Sequence, residues 1–177
     1  MFIGNKLYTR LGDSGRSLIY GNYEDKDNIL FEVMGTVDEL SASLSIPNVL
    51  LRSENDENCK NLDIVQNELY NINSNLYLCS EINKIDYRYL EEWIDILSYS
   101  CPKITHFLKL DGNIYSSHLN LSRTICRRLE RIIVTFCREK KFSSNPKYID
   151  NIMKYINRLS DYLFILAFAT QKYPLYL

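Results

Sequence analysis

Five long segments in which apolar residues recur at helical spacing restrict the fold of this 177-residue chain more than any other feature. Apolar side chains three and four positions apart share one face of an α-helix, so each segment predicts a helix with one buried face. The predicted helices span residues 28–46, 61–80, 86–100, 114–140 and 147–172. Alternating strand patterns are scarce, so we expect an all-α fold, an antiparallel five-helix bundle.

Proline and glycine are rare, with four and six residues in the chain, and the prolines lie where the predicted helices should end. Proline lacks a backbone N–H and clashes with the preceding turn, so it disfavours a helix interior. We therefore expect breaks at Pro47, Pro102, Pro146 and Pro174. The Asn- and Glu-rich piece Arg52–Lys60 is predicted to be a linker. The length fits one domain over residues 1–177.

Composition excludes several classes of protein. An apolar content of 46% is too high for intrinsic disorder, and a net charge of −1 provides no global field that attracts nucleic acid. The longest apolar candidate, Tyr162–Phe168, is far shorter than a membrane span. The first residues resemble neither a secretory signal nor a transit peptide, so we expect a cytosolic protein, or a mitochondrial one if the source is eukaryotic.

The cysteines and histidines narrow the possible chemistry. Five cysteines lie far apart without a Cys-x-x-Cys pair, which predicts reduced thiols rather than a disulfide framework or a zinc site. The two histidines, His106 and His118, are too few for most metal sites or histidine-base mechanisms.

The first polar cluster is a glycine-containing loop at residues 8–17, before the first predicted helix. Glycines let backbone N–H groups approach phosphate oxygens, and Thr9, Arg10 and Ser17 can add donors. The Walker A spacing is absent. The residues alone are compatible with a phosphate-binding loop or with an ordinary turn.

The second cluster is a run of arginines on the fourth predicted helix. At about 100° per residue, Arg123 and Arg127 lie on the shoulder of a buried seam through Cys126, while Arg128 points away. Two guanidiniums one turn apart suit a phosphate, and Glu130 is within reach of Arg127 and can orient it. The alternative is a solvated face with intrahelical ion pairs.

Polar residues also lie beside the apolar faces of the first and fifth helices. Asn157 and Ser160 are one turn apart, although Asn and Ser are mediocre helix formers, so either a ligand or neighbouring helices need their hydrogen bonds. Asp38 lies at the edge of an apolar stripe, where a carboxylate needs a cationic partner. Arg123 or Arg127 would supply one.

Together and in this order, these clusters resemble the PduO-type ATP:cob(I)alamin adenosyltransferases. The family's Tyr-Thr-Lys/Arg-x-Gly-Asp-x-Gly loop corresponds to residues 8–15, its Lys-Asp-Asp-like element to 26–28, and its Gly-Thr-x-Asp-Glu-Leu element to 35–40. Its Arg-x-x-Cys-Arg-Arg-x-Glu-Arg signature is complete at 123–131, and Asn-Arg-Leu-Ser-Asp-x-Leu-Phe is complete at 157–164. The five motifs occur in register, and the resemblance extends over nearly the whole chain, from Tyr8 to about Thr170.

The resemblance implies a homotrimer of five-helix bundles with ATP bound between neighbouring subunits. It implies transfer of the 5′-deoxyadenosyl group of ATP to the cobalt of cob(I)alamin, with Mg²⁺ accompanying ATP. Co(I) is itself a strong nucleophile, so few histidines and no catalytic cysteine motif agree with this chemistry. The expected partners are a reductase or a cobalamin-dependent enzyme, and neither nucleic acid nor a membrane.

The resemblance also implies a role for individual residues. Arg127 neutralises the terminal phosphates, Asp38 pairs with Arg123 across the subunit interface, and Phe107 displaces the lower ligand of the corrin. Removal of that ligand raises the reduction potential of Co(II), because the four-coordinate ion lacks a donor. The implied ATP-binding residues are Thr9, Arg10, Leu11, Gly12, Ser17, Lys26, Arg127, Arg128, Glu130, Arg131 and Asn157.

Four features depart from the family pattern. The usual Lys of the first loop is Ser14, the loop is one residue short before Lys26, and the usual His before the arginine helix is Asn120. The Pro-Gly-Gly-like turn after the aromatic residue reads Leu110–Asn113. Each could weaken affinity for ATP or corrin, so a cobalamin escort without catalysis is the nearest alternative. A nucleic-acid-binding bundle using residues 123–131, with steep salt dependence, is a more distant one.

Overall fold

The computed structural model describes residues 8, 10–19, 21–78, 81, 83–139 and 147–171, and the backbone of 175–176. It contains the helices α1 (Ile29–Ser53), α2 (Asn58–Leu78), α3 (Arg88–Ser100), α4 (Ile114–Glu139) and α5 (Lys147–Ala169). Two short antiparallel strand pairs accompany them: β1 (Arg16–Ile19) with β2 (Asn22–Asp25), and β3 (Leu108–Lys109) with β4 (Leu175–Tyr176). The predicted five-helix bundle is confirmed.

Helix α4 lies at the centre of the bundle, between α1 and α5, while α2 packs on α1 and α3 packs on α5. The predicted apolar faces form the core, and Leu40, Leu129, Ile133 and Leu159 are all fully buried. Burying each such side chain stabilises the fold by about 1.5–3 kcal/mol relative to exposure. The position of α4 places the arginine run against both neighbouring helices.

Helix α1 continues through Pro47, so the predicted break there is wrong, as is the predicted linker over 52–60. Pro47 is itself buried, and Asn48 in the same turn donates through Nδ2 to Asp63 at 2.7 Å and Gln66 at 3.0 Å on α2. Packing and these interhelical bonds outweigh the one backbone hydrogen bond that proline removes. Only residues 54–57 connect α1 to α2.

Side-chain acceptors mark the starts of three helices. Asn28 Oδ1 accepts from the backbone N–H of Leu30 at 3.0 Å at the start of α1. Asp56 and Asp86 accept in the same way from the N–H two residues on, at 2.8 and 3.1 Å, at the starts of α2 and α3. Such acceptors satisfy N–H groups that have no partner within the helix, which explains why α2 begins at 58 rather than 61.

An aromatic cluster holds α3 against α5. The ring of Trp93 lies 4.7 Å from that of Tyr89 and 5.4 Å from that of Tyr162, measured between centroids. The hydroxyl of Tyr89 donates to that of Tyr155 at 3.0 Å. Burial raises the pKa of all three tyrosines, so these hydroxyls stay protonated and serve packing.

Other expectations concern cysteines, prolines and membranes. Cys59, Cys101, Cys126 and Cys137 carry free thiols, as predicted, and Pro102 follows the end of α3. The fifth cysteine, Cys79, lies outside the described residues, as do Pro146 and Pro174. Within the described ranges, every helix is too short or too polar to cross a bilayer.

Candidate functional site

Arg123 is a half-buried cation on α4 that lacks a carboxylate partner in the described part of its own chain. Its Nε donates to Asn120 Oδ1 at 3.0 Å, and its guanidinium carbon lies 6.0 Å from the centre of the Phe164 ring. Burial, with a contribution from the charge of Arg127, lowers the pKa of the guanidinium from its usual value. A partly desolvated cation of this kind favours an anionic partner.

Arg127 lies one turn further along α4 and is exposed. Its guanidinium has neither a hydrogen bond nor an ion pair with any residue that the structure describes, whereas its backbone carbonyl accepts from Arg131 Nη1 at 2.9 Å. The prediction that Glu130 orients Arg127 is wrong in this chain. Glu130 extends towards α5 instead, where its Oε1 accepts from Asn157 Nδ2 at 2.9 Å.

This Glu130–Asn157 hydrogen bond joins two motifs through residues that are 27 positions apart in sequence. It forms because α4 packs directly on α5. Cys126, one turn before Glu130 on α4, meets Ile156, the residue before Asn157, in the core. The Cys126 thiol donates to the carbonyl of Ile156 at 3.3 Å. Two hydrogen bonds thus hold this part of α5 against α4.

Arg128 points away from the buried seam, as the helical angles predict. It is exposed and forms an ion pair with Glu39 of α1. Asp38, the neighbouring residue, is also exposed and accepts from Asn73 Nδ2 at 2.8 Å. The structure does not bring Asp38 to Arg123 or Arg127 among the described residues of one chain, so its predicted pairing across a subunit interface stays a prediction.

The N-terminal loop is held by Lys26, at the end of β2. Its Nζ donates to the carbonyl of Gly12 at 2.9 Å, and its backbone N–H donates to Gly15 at 2.9 Å. A Cβ on Gly12 would lie 2.9 Å from this Nζ, so a side chain there would displace the ammonium group. The loop therefore brings an ammonium group into contact with a glycine turn.

Other residues of this loop are only partly described. Arg10 has a φ of 61°, a left-handed conformation that is uncommon outside glycine, and its guanidinium lies over the ring of Tyr8 at 5.6 Å. Leu11 is 57% exposed, and Ser17 lies in β1 opposite Glu24. Thr9 lies outside the described residues. Positive φ at a non-glycine residue is a form of strain that clusters at ligand-binding loops.

A cavity of about 870 Å³ opens beside Arg123. Phe107, in the segment between α3 and β3, is 86% exposed and lies in its wall. The volume is in the range of cofactor sites, and an exposed phenyl ring in such a wall favours an apolar ligand. The wall as a whole is formed by Ile104, Thr105, His106, Phe107, Leu108, Leu110, Asn120, Arg123 and Phe164.

Sequence reasoning assigned no role to Ile104, Thr105, His106 or Leu108. Their signal is weak, because the segment after Pro102 is short, mixes polar and apolar residues and has no helical or strand periodicity. The sequence shows Phe164 only as part of a motif, because its contact with Arg123 depends on the packing of α4 on α5. Asn120, a departure from the family pattern, accepts a hydrogen bond from the Nε of Arg123.

Comparison with known proteins is consistent with this geometry. The family model described as Cobalamin adenosyltransferase matches residues 7–170. The chain is 34% identical over 176 residues to a corrinoid adenosyltransferase of Citrobacter freundii, covering 96% of this chain and 97% of the relative. It is 33% identical over 174 residues to the corrinoid adenosyltransferase MMAB of Homo sapiens, covering 92% and 67%.

Solved structures of similar fold include two variants of a PduO-type adenosyltransferase from Lactobacillus reuteri. The one complexed with ATP has a TM-score of 0.85 and 28% identity, and covers 97% of this chain and 99% of its own. The one complexed with cobalamin and ATP has a TM-score of 0.86 and 27% identity, with the same coverage. With the match to the family model over nearly its whole length, this chain belongs to the cobalamin adenosyltransferase family.

Proposed function

We propose that this chain transfers the 5′-deoxyadenosyl group of ATP to the cobalt of cob(I)alamin, producing adenosylcobalamin and inorganic triphosphate. Curated relatives at 33–34% identity are corrinoid adenosyltransferases, and one structural neighbour is complexed with cobalamin and ATP. The observation that carries the proposal is the cavity in which the exposed ring of Phe107 and the cation of Arg123 share one wall. A corrin ring needs the apolar surface, and the exposed cation of Arg127, one turn further along α4, is available to a polyphosphate.

The reaction is a displacement at C5′ of ATP. The electron pair of Co(I) forms the Co–C bond, the C5′–O bond breaks, and triphosphate leaves with the bonding electrons. No proton has to be removed, so the protein's task is to align the reacting atoms and stabilise negative charge on the leaving group. Arg127, whose guanidinium is exposed and has no ion pair among the described residues, suits that task.

The proposed ATP site combines the N-terminal loop with polar residues of α4 and α5. Thr9, Arg10, Gly12, Ser17 and Lys26 would contact the triphosphate and nucleotide from the loop. On the helices, the predicted contacts are with Arg127, Arg128, Glu130, Arg131 and Asn157. The Lys26–Gly12 bond supports this role, because an ammonium group that lies over a glycine turn can transfer its contact to a phosphate oxygen.

Mg²⁺ would accompany the triphosphate and reduce its charge. The described residues hold no group of three or more His, Cys, Asp or Glu side chains placed to bind a metal ion. Phosphate oxygens and water would therefore supply most of its ligands, which is how Mg²⁺ is commonly held beside nucleotides.

Phe107 would act at the lower face of the corrin. Its ring is 86% exposed, so it can occupy the position of a lower axial ligand without first leaving the core. Loss of that ligand makes Co(II) easier to reduce. We assign delivery of the electron to a separate reductase partner.

The proposed assembly is a homotrimer with ATP between subunits. Asp38 and Arg123 each lack an ion-pair partner among the described residues of one chain, which supports pairing between chains. Exposed aliphatic side chains on α1 and α4, namely Ile46, Val49 and Leu121, favour a protein surface as their neighbour. Sedimentation velocity of the wild type and of Asp38→Asn tests this: a wild-type monomer would contradict the assembly.

An anaerobic assay tests the reaction itself. Purified protein is mixed with ATP, Mg²⁺ and chemically reduced cob(I)alamin, and the corrin spectrum and triphosphate are followed. Formation of adenosylcobalamin and triphosphate in equal amounts supports the proposal. Binding of corrin without triphosphate would identify an escort instead.

A further inference from the structure

Asn157 belongs to a chain of hydrogen bonds that crosses α4, α5 and α3. Its Nδ2 donates to Glu130 Oε1 on α4 at 2.9 Å, and its Oδ1 accepts from Arg158 Nη1 at 2.6 Å. Arg158 Nε donates in turn to Glu91 Oε1 on α3 at 2.7 Å. All of these bonds are partly buried, so water competes with them less than it would at a fully exposed surface.

This arrangement allows the Asn157 amide only one orientation. A carboxylate can only accept hydrogen bonds, and a guanidinium can only donate them. A reversed amide would place its oxygen against Glu130 and its NH₂ group against Arg158, and would lose both bonds. The amide is therefore held with one N–H and one lone pair of its oxygen still available to a ligand.

We propose that Arg158 and Glu91 are positioning residues for ATP, which act by holding the Asn157 amide in the orientation that meets the nucleotide. The inference rests on the proposed function, because it takes Asn157 as an ATP contact. Arg158 follows Asn157 directly in sequence, and its guanidinium donates to the oxygen of that amide. Glu91 supplies the second anchor, since it accepts from Nε and leaves Nη1 directed at Asn157.

The ion pair between Arg158 and Glu91 is expected to contribute little to the stability of the fold. The side chains of Arg158 and Glu91 are 38% and 43% exposed, and ion pairs of such exposure contribute little to folding. Arg52 and Asp63, which join α1 to α2 at 2.7 Å with side chains 59% and 46% exposed, form a comparable interhelical pair away from Asn157. This second pair provides a matched control.

The test compares Arg158→Met with Arg52→Met, because methionine keeps most of the apolar stem and removes every donor. We expect Arg158→Met to raise the KM for ATP roughly tenfold, the effect of one lost charge-assisted hydrogen bond. The KM for cob(I)alamin should stay within about twofold of wild type, and Arg52→Met should change neither constant. If Arg158 had a purely structural role, its replacement would change the KM for ATP and the KM for cob(I)alamin together, or would change neither.

If thermal unfolding shows that Arg158→Met does not fold, substitutions of Glu91 test the positioning role instead. Glu91→Ala leaves Arg158 in place but frees it, and should raise the KM for ATP about threefold, whereas Glu91→Gln keeps an acceptor and should restore it. An unchanged KM for ATP in Glu91→Ala and in folded Arg158→Met, with active wild type, would overturn the positioning role alone. A wild type that forms no adenosylcobalamin would instead refute the proposed function.

Discussion

Arg127→Ala is the substitution that most directly tests the chemistry. The guanidinium is exposed and has no hydrogen bond or ion pair with the described residues, so its loss should change the free energy of unfolding by no more than about 0.5 kcal/mol. If it neutralises the leaving triphosphate, its loss should cost the transition state about 3 kcal/mol, or roughly a hundredfold in kcat. Arg127→Ala should therefore lower kcat strongly while it leaves the free energy of unfolding nearly unchanged.

Arg138→Ala is the matched control. Arg138 is an exposed arginine on the same helix, eleven positions on. Eleven residues correspond to about three turns, so it lies on nearly the same face roughly 16 Å along the axis. It carries the same charge but should lie beyond the phosphates, and its replacement should leave kcat within about twofold of wild type.

The assay starts from prereduced cob(I)alamin, so that reduction does not limit the rate, and both variants are also unfolded by urea. The expected result is a large fall in kcat for Arg127→Ala alone, with both urea midpoints near wild type. Equal activity in the two arginine variants would refute the assignment of Arg127 to the leaving group. A large fall in both would point to general charge steering instead.

Three further predictions concern the corrin site, acid stability and a buried thiol. Phe107→Ala should slow formation of adenosylcobalamin from Co(II) far more than from prereduced Co(I). It should not reduce stability, because the ring is 86% exposed. Equal losses of rate in the two assays would argue against displacement of the lower ligand by Phe107. The hydrogen bond from Arg88 lowers the pKa of Asp86 from 3.8 to about 2. The charged carboxylate therefore stabilises the folded state above pH 4, and this contribution should disappear as the pH falls from about 4 to 2. Because the pair is largely exposed, Asp86→Asn should cost less than about 1 kcal/mol at pH 7 and should flatten the acid limb of urea unfolding; an unaltered limb would contradict this. Burial raises the pKa of the Cys126 thiol, so iodoacetamide at pH 8 should modify the partly exposed Cys59 and leave Cys126 unmodified in peptide mass spectra until the protein is unfolded.

Helix faces were largely predictable because they depend on local periodicity. Leu129 and Ile133 were expected in the core and are fully buried, and Arg128 was expected to point away and is exposed. Helix ends were less predictable. Pro47 reads as a break in isolation, but a proline can be retained within a helix when the following turn gains enough contacts with a neighbour, here through Asn48 and α2.

The partners of polar side chains were not predictable from spacing. Glu130 is close enough to Arg127 along the helix to pair with it, yet Asn157 on α5 receives its bond, because the rotation of α4 against α5 decides which polar atoms meet. The same rotation brings Phe164 to Arg123. Such contacts join residues that are tens of positions apart, and no local pattern specifies them.

The sequence by itself determined that the chain forms five helices, which face of each is buried, and that two arginines one turn apart lie on the shoulder of the fourth. These properties follow from a periodicity that each helix carries alone. Only the tertiary structure decided that Arg123 and Phe107 line one cavity and that Asn157 is held between Glu130 and Arg158. The physical reason is that side chains from different helices meet at positions set by how the helices pack, and a one-dimensional pattern does not contain those positions.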